Sequence, residues 1–303
     1  ASLPQCHSEC GATGRGLAIT AGVALVACGD AGLDVIDIEP PDSPPALATA
    51  SVPGAAFGVA AAGDLTLVGA DDLEVFDTAD PADPRHLGTL TFTGSTSRVI
   101  ADGSRAYVST ANEGGARLLV VDVSDPAAPL LLGATALDGF ASALASAGDV
   151  VYLADFFFGG VFVVDVSTPS LPRVVASVPT NPYAQQLARL GDHLLVGTGA
   201  FGDGALQVFD IAAPLDPVPV AELPVPARGI NGLAVRPPYV YATLNLEGAG
   251  ELAIIDASDP AAPSIVSRLW LPDVLHGVVV EDGLAYVTSF LGNVHVVDVG
   301  DPA

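Results

Sequence analysis

The phrase VVDVSDP, Val120 to Pro126, returns along the chain as VVDVSTP, IIDASDP and VVDVGDP. Aligned on its first aspartate it occurs seven times, at Asp37, Asp77, Asp122, Asp165, Asp210, Asp256 and Asp298, with separations between 40 and 46 residues. A period of that length marks an architecture in which one supersecondary unit is copied, because a single unit cannot bury its own apolar faces and needs a neighbour on each side. The chain therefore has to be read as one unit used seven times before any single residue is weighed.

The third copy shows the internal order. Arg98-Val99-Ile100-Ala101 leads to a turn at Asp102-Gly103, and Ala106-Tyr107-Val108-Ser109 runs to a loop. Leu118 to Val123 then carries the signature, an Asp-Pro turn follows, and Leu130 to Ala134 closes the unit. Short Leu-rich and β-branched runs between Gly, Pro and Asp turns predict strands, four to a unit, and no segment holds a helical period over eleven residues. Seven such units predict one all-β domain over residues 1–303, a seven-bladed β-propeller of four-stranded antiparallel blades. After Asp298 no fourth strand remains, and Ala1-Ser2-Leu3-Pro4 matches Ala50-Ser51-Val52-Pro53 and Ala176-Ser177-Val178-Pro179. The N-terminal segment is thus expected to close the ring as the outer strand of the last blade.

The signature reads LDVIDI, LEVFDT, LLVVDV, VFVVDV, LQVFDI, LAIIDA and VHVVDV in its seven copies. In this it resembles the LVIVD-repeat propellers, and the resemblance spans nearly the whole chain. It implies the propeller fold and a bacterial or archaeal secreted or surface protein, and it implies no particular activity.

A catalytic acid is needed once or as a pair, whereas the signature aspartate stands at seven equivalent places. Its expected work is structural: the carboxylate accepts backbone N–H groups of the following turn, where Pro fixes φ and removes a donor. The chain contains no G-x-S-x-G elbow, no H-E-x-x-H pair and no phosphate-binding P-loop. His7, His86, His193, His276 and His295 are scattered, and the glycines of GAFGDGA precede no helix.

Ten arginines and no lysine stand against 35 acids, a formal charge of −25. That excludes nucleic acid and anionic lipid as partners, since both select basic surfaces, and no apolar run is long enough to insert directly into a membrane. Ala1 and the absence of Met predict a processed product whose secretory signal was removed, and hence an extracellular or cell-surface setting. Cys6 and Cys10 flank His7 in CHSEC, and Cys28 lies in the first strand pattern. A Cys6–Cys10 disulfide is expected ahead of a metal site on Cys6, His7 and Cys10, with other pairings through Cys28 left open. Asp71, Asp72 and Asp203 sit in loops that could offer oxygen to calcium, though without the spacing of a dedicated calcium loop, so the expectation is no cofactor, with calcium as the alternative.

Strand direction sorts the remaining candidates. Asp-Pro turns lie at one end of each blade, while the loops between second and third strands lie at the other, with the connections between blades. That second end carries Asp155-Phe156-Phe157-Phe158-Gly159-Gly160, Phe201, Leu246, Phe290-Leu291 and Asn181-Pro182-Tyr183. Exposed aromatic groups gathered on one rim point to a partner surface. Phe157 is the leading contact, with Phe156 or Phe158 able to turn inward and seal the next blade. Arg98, Ser142, Gln185, Gln186, Asn231 and His276 begin the inner strands at the same end and vary from blade to blade, as one asymmetric ligand would require. The expected function is a non-catalytic binding scaffold for a protein or glycan, through Phe157, Tyr183, Arg98, Gln186, Asn231, His276, Phe201 and Phe290. The alternatives are a propeller enzyme, such as a metal-assisted hydrolase or lactonase, with its site at the channel mouth, and an architectural subunit of an extracellular assembly.

Overall fold

The second and third strands of each repeat are apolar without interruption, as in VALVA, VVYLAD and HLLVGT, and such runs are stable only where both sheet faces are covered. The computed structural model describes residues 16–38, 45–112, 115–199, 202, 204–290 and 293–301. They form seven consecutive antiparallel sheets in chain order, each a meander of adjacent strands, and no helix occurs among them. This is the seven-bladed β-propeller that the repeat predicts. Blades one to six have four strands, and blade seven has three among the described residues: Leu275–Glu281, Leu284–Ser289 and Val294–Asp298. Ala1 to Pro4, whose closure of that blade is expected, fall outside the described residues.

The chain divides into two compact units. One holds Ala1–Asp138, Thr168–Pro172 and Thr288–Val296; the other holds Gly139–Ser167, Arg173–Val287 and Val297–Ala303. In the first, the inner strands Gly16–Thr20, Gly58–Ala62 and Ser95–Asp102 lie against one another in order. In the second, the order is Ala141–Ala147, Gln186–Leu190, Gly229–Arg236 and Leu275–Glu281. Each unit keeps its apolar core between consecutive blades. Leu25, Val35, Val59 and Phe76 fill one such layer in the first unit, and Tyr152, Val163, Leu194 and Phe209 fill another in the second. Outer strands are the exception to burial. Ser264–Leu271 of blade six exposes Val266, Leu269 and the single tryptophan, Trp270.

The signature aspartate closes the turn after its strand. Its Oδ1 accepts the N–H two residues on, from Ala79 to Asp77 at 3.0 Å, Ser124 to Asp122 at 2.8 Å, Ser167 to Asp165 at 2.9 Å and Ala212 to Asp210 at 2.7 Å. Ser258 to Asp256 and Gly300 to Asp298 repeat the contact. The residue next to the aspartate donates its own N–H to the turn between the first two strands, as Val123 does to Ser104 and Val166 to Asp149. In the Asp-Pro turns of blades two, three and six a second aspartate repeats the device: Ala82 donates to Asp80, Ala127 to Asp125 and Ala261 to Asp259.

These turns reach across to the preceding blade. A Cβ on Gly88, in the outer strand of blade two, would stand 2.6 Å from the Pro126 carbonyl oxygen in the turn of blade three. In the second unit, the buried Tyr152 of blade four donates its hydroxyl to the Pro214 carbonyl of blade five at 2.7 Å, and burial pushes this phenol up to about 12. In blades one to six the pairing of third and outer strands shifts at the same place, between Val35/Ile36, Val75/Phe76, Val120/Val121, Val163/Val164, Val208/Phe209 and Ile254/Ile255. One extra residue in the outer strand bends it at that point.

Two outcomes follow from these contacts. Tyr152→Phe removes one neutral hydrogen bond and leaves the Pro214 carbonyl without that donor, so equilibrium denaturation should show a loss of about 1 kcal/mol. The turn bonds also hold four carboxyls below the ordinary aspartate value of 3.8. At Asp77 the cause is the Ala79 N–H and then Arg85. At Asp122 and Asp165 it is the Ser124 and Ser167 hydroxyls and then the N–H groups, and at Asp256 it is the Ser258 N–H first. A carboxyl lowered on folding stabilises the fold above its unfolded value, and that stability is lost as pH falls through the folded value. The thermal midpoint should therefore drop as pH falls from about 4 toward about 2, and replacing the four aspartates by Asn should flatten that acid limb.

Candidate functional site

Blade four departs from the other repeats in the loop between its second strand, Val150–Asp155, and its third, Val161–Asp165. Three consecutive phenylalanines fill it, followed by Gly159 and Gly160 at φ 71° and 142°. Asp155 anchors the loop. It is 4 % exposed, and its Oδ1 accepts the Phe140 N–H at 3.3 Å and the Phe157 N–H at 3.1 Å. Its own N–H reaches the Gly160 carbonyl at 2.9 Å, and the Phe156 N–H reaches the Phe140 carbonyl at 3.1 Å. Gly139 is required beside it, since a Cβ there would stand 2.6 Å from the carboxylate.

The connection from blade four to blade five packs against this loop. A Cβ on Gly159 would come within 3.1 Å of the Asn181 carbonyl oxygen and the Pro182 Cα. Tyr183 holds φ at 61°, a left-handed conformation that a bulky residue adopts only when its surroundings impose it. Four rings then meet in a chain with centroid separations of 5.6 Å for Phe140 and Phe157, 5.1 Å for Phe157 and Phe156, and 5.6 Å for Phe156 and Tyr183. The first two contacts are edge-to-face, which the ring quadrupoles favour. Phe157 is 60 % exposed, Phe158 81 % and Phe140 36 %.

The structure places Phe157 and Tyr183 in one chain of rings, linked through Phe156, and adds Phe140, which sequence reasoning missed. Phe158 stays outward and is the more exposed of the pair, and Phe156 is the half-buried member between Phe157 and Tyr183. The signal for Phe140 was available in the strand order, because it immediately precedes the inner strand whose first residue, Ala141, pairs with Asp155.

Three of the polar candidates that begin the inner strands, Ser142, Gln186 and Asn231, are joined to the next blade. Ser142 donates to the Ala184 carbonyl at 2.7 Å, Gln186 to the Asn231 carbonyl at 2.6 Å and Asn231 to the Leu275 carbonyl at 2.9 Å. Ser142 and Asn231 are the residues skipped where the pairing of the first two strands shifts, so each side chain turns out of the ladder. The His276 carbonyl accepts from Thr243 at 2.6 Å, and Gln185 donates to the Gly199 carbonyl. In the other unit, Arg98 is half-buried and donates to the Ser97 carbonyl at 2.9 Å, and Phe290 is exposed. Phe201, Asp203, Cys6 and Cys10 lie outside the described residues. Cys28 is buried, and its thiol donates to the Asp34 carboxylate at 3.5 Å. The Asp72 Oδ1 accepts the Phe92 N–H at 3.4 Å, and Asp71 is exposed. Among the described residues no three His, Cys, Asp or Glu side chains come together as a metal site.

Asp155 is an acceptor whose loss would release the backbone of both phenylalanines it binds. Asp155→Ala should lower stability by about 2 kcal/mol and open the loop to limited proteolysis at Phe156 to Phe158, while leaving the far-ultraviolet spectrum of a β-protein intact.

The profile of the LVIVD repeat matches residues 14–49, 93–136, 138–180 and 233–269, more than half of the chain. No curated protein sequence matches at a significant level. Among solved structures the chain is similar to the β-propeller domain of Cps50 (Swd1) from Myceliophteria thermophila, with 13% identity over 92% of this chain and 94% of that one and a TM-score of 0.71. It is also similar to the computationally designed protein Ika8, with 12% identity over 97% and 98% and a TM-score of 0.66. A functionally unknown protein from Desulfotomaculum acetoxidans aligns at 11% identity over 83% and 84% with a TM-score of 0.68. At these identities the likeness is one of fold.

Proposed function

The chain belongs to the LVIVD-repeat family, and from that premise we propose that it is a binding scaffold, secreted or held at the cell surface, whose contact surface for a protein or glycan is the aromatic loop of blade four. The observation that carries this reading is the exposure of Phe157 and Phe158 on a backbone fastened at Asp155. Exposed rings of this size are retained where something covers them part of the time. A loop held in one shape also loses less entropy on binding than a loose one. The acidity of the chain supports an extracellular setting, where salt and divalent cations screen a charge of −25.

The double substitution Phe157→Ser and Phe158→Ser removes both rings and leaves the Asp155 anchor in place. Retention of the partner from cell-envelope or culture-fluid fractions, or of glycans on an array, should weaken by roughly thirtyfold, the loss of about 2 kcal/mol that aromatic anchors contribute to an interface. The stability of the variant should stay within about 0.5 kcal/mol of the parent. Undiminished retention would move the contact surface away from this loop.

A further inference from the structure

We infer that the aromatic loop recognises a cationic segment of a protein, through arginine side chains laid against its rings. This deepens the scaffold reading above and rests on it. The second element of the site is Glu222, on the outer strand of blade five, Val218–Pro224. Its Oε2 accepts the Gln207 amide at 3.0 Å and the Asn181 amide at 3.3 Å. The Asn181 N–H in turn donates to the Gln207 Oε1 at 2.9 Å. Asn181 is two residues from Tyr183, so this network ties an exposed carboxylate to the connection that carries the last ring of the aromatic chain.

The charge of Glu222 decides the chemistry. Among the described residues its hydrogen-bond partners are neutral amides, which orient the carboxylate and leave its negative charge in place. Four of the five arginines of this unit are engaged elsewhere: Arg173 with Asp165 at 3.1 Å, Arg268 with Glu251 at 3.4 Å, Arg228 with Glu247, and Arg189 with the Gly191 carbonyl at 2.7 Å. A cation from outside would meet ring faces with negative quadrupoles, a fixed carboxylate and a protein field of charge −25. Arginine fits better than lysine, because its planar guanidinium stacks on a ring while its N–H groups still reach a carboxylate. An anionic glycan would be repelled by the same field, and a neutral one would draw no benefit from it.

The test uses the whole protein and a labelled twelve-residue Gly/Ser peptide carrying three spaced arginines, with binding followed by fluorescence anisotropy near physiological salt. A peptide with citrulline in place of arginine, which keeps the shape and removes the charge, and a neutral hexasaccharide serve as alternative probes. Phe157→Ser with Phe158→Ser leaves the net charge unchanged and should weaken the arginine peptide about tenfold. Glu222→Gln should weaken it about threefold. Asp125→Asn with Asp259→Asn removes two charges at the opposite end of the strands and should change it less than about twofold. Equal losses from Glu222→Gln and from the Asp125/Asp259 pair would mean diffuse attraction and would overturn the inference, as would an arginine peptide indifferent to the two phenylalanines. If citrulline peptide or hexasaccharide binds as well as the arginine peptide and depends on Phe157 and Phe158, the cationic partner is wrong while the aromatic surface stands. If no probe depends on those phenylalanines, both readings fall together.

Discussion

A hydrogen bond no longer than 3.0 Å, from a turn N–H to the Oδ1 of the aspartate that ends the third strand of blades two to seven, sets the geometry of the scaffold. It fixes where the chain reverses, and so where the following turn lies. That turn meets the outer strand of the preceding blade, where Gly88 leaves room for it, or receives a tyrosine hydroxyl, as Pro214 does from Tyr152. An aspartate can do this at a solvent-facing position because its carboxylate stays hydrated while it accepts the backbone bonds. The apolar faces of the strands supply most of the stabilisation, and the aspartate decides the register in which they are offered to the neighbour.

The opposite end of the same strands is released from that duty. Its loops differ from blade to blade, and in blade four the difference becomes a preorganised cluster of rings. Asp155 serves the loop much as the signature aspartates serve their turns, by accepting two backbone N–H groups, but it does so from a buried position and once only. The inner-strand polar residues bind the blades to one another: Ser142, Gln186 and Asn231 each donate to a carbonyl of the next blade. A hydrogen-bonded seam between inner strands and an apolar layer between sheets therefore act on the same pairs of blades.

The repeat was legible in the sequence because its residues recur at equivalent places, and the role of the aspartate was legible because seven copies cannot all be catalytic. The candidate site was legible only in part. Phe157 and Tyr183 were visible through strand direction, but Phe140 lies fifteen residues before Asp155 and becomes its neighbour only when the hairpin between them has formed. Phe158 is the most exposed ring of the loop, and sequence does not reveal which way such a turn points its rings. Ser142, Gln186 and Asn231 read as free polar groups because their partners are backbone carbonyls, which carry no residue-type signature.

The position of the only tryptophan has a consequence for how this protein can be observed. Trp270 lies on the outer strand of blade six, 59 % exposed, while Tyr107, Tyr152, Tyr241 and Tyr286 are buried among the sheets. Indole emission is then that of a hydrated ring in the folded state as in the unfolded one, so its wavelength is nearly blind to the core. Tyrosine signals, in emission excited near their own band or in near-ultraviolet dichroism, follow the packing of blades three, four, six and seven. The tryptophan instead watches the outer edge of one blade, which makes it a built-in reporter for anything that docks along that strand.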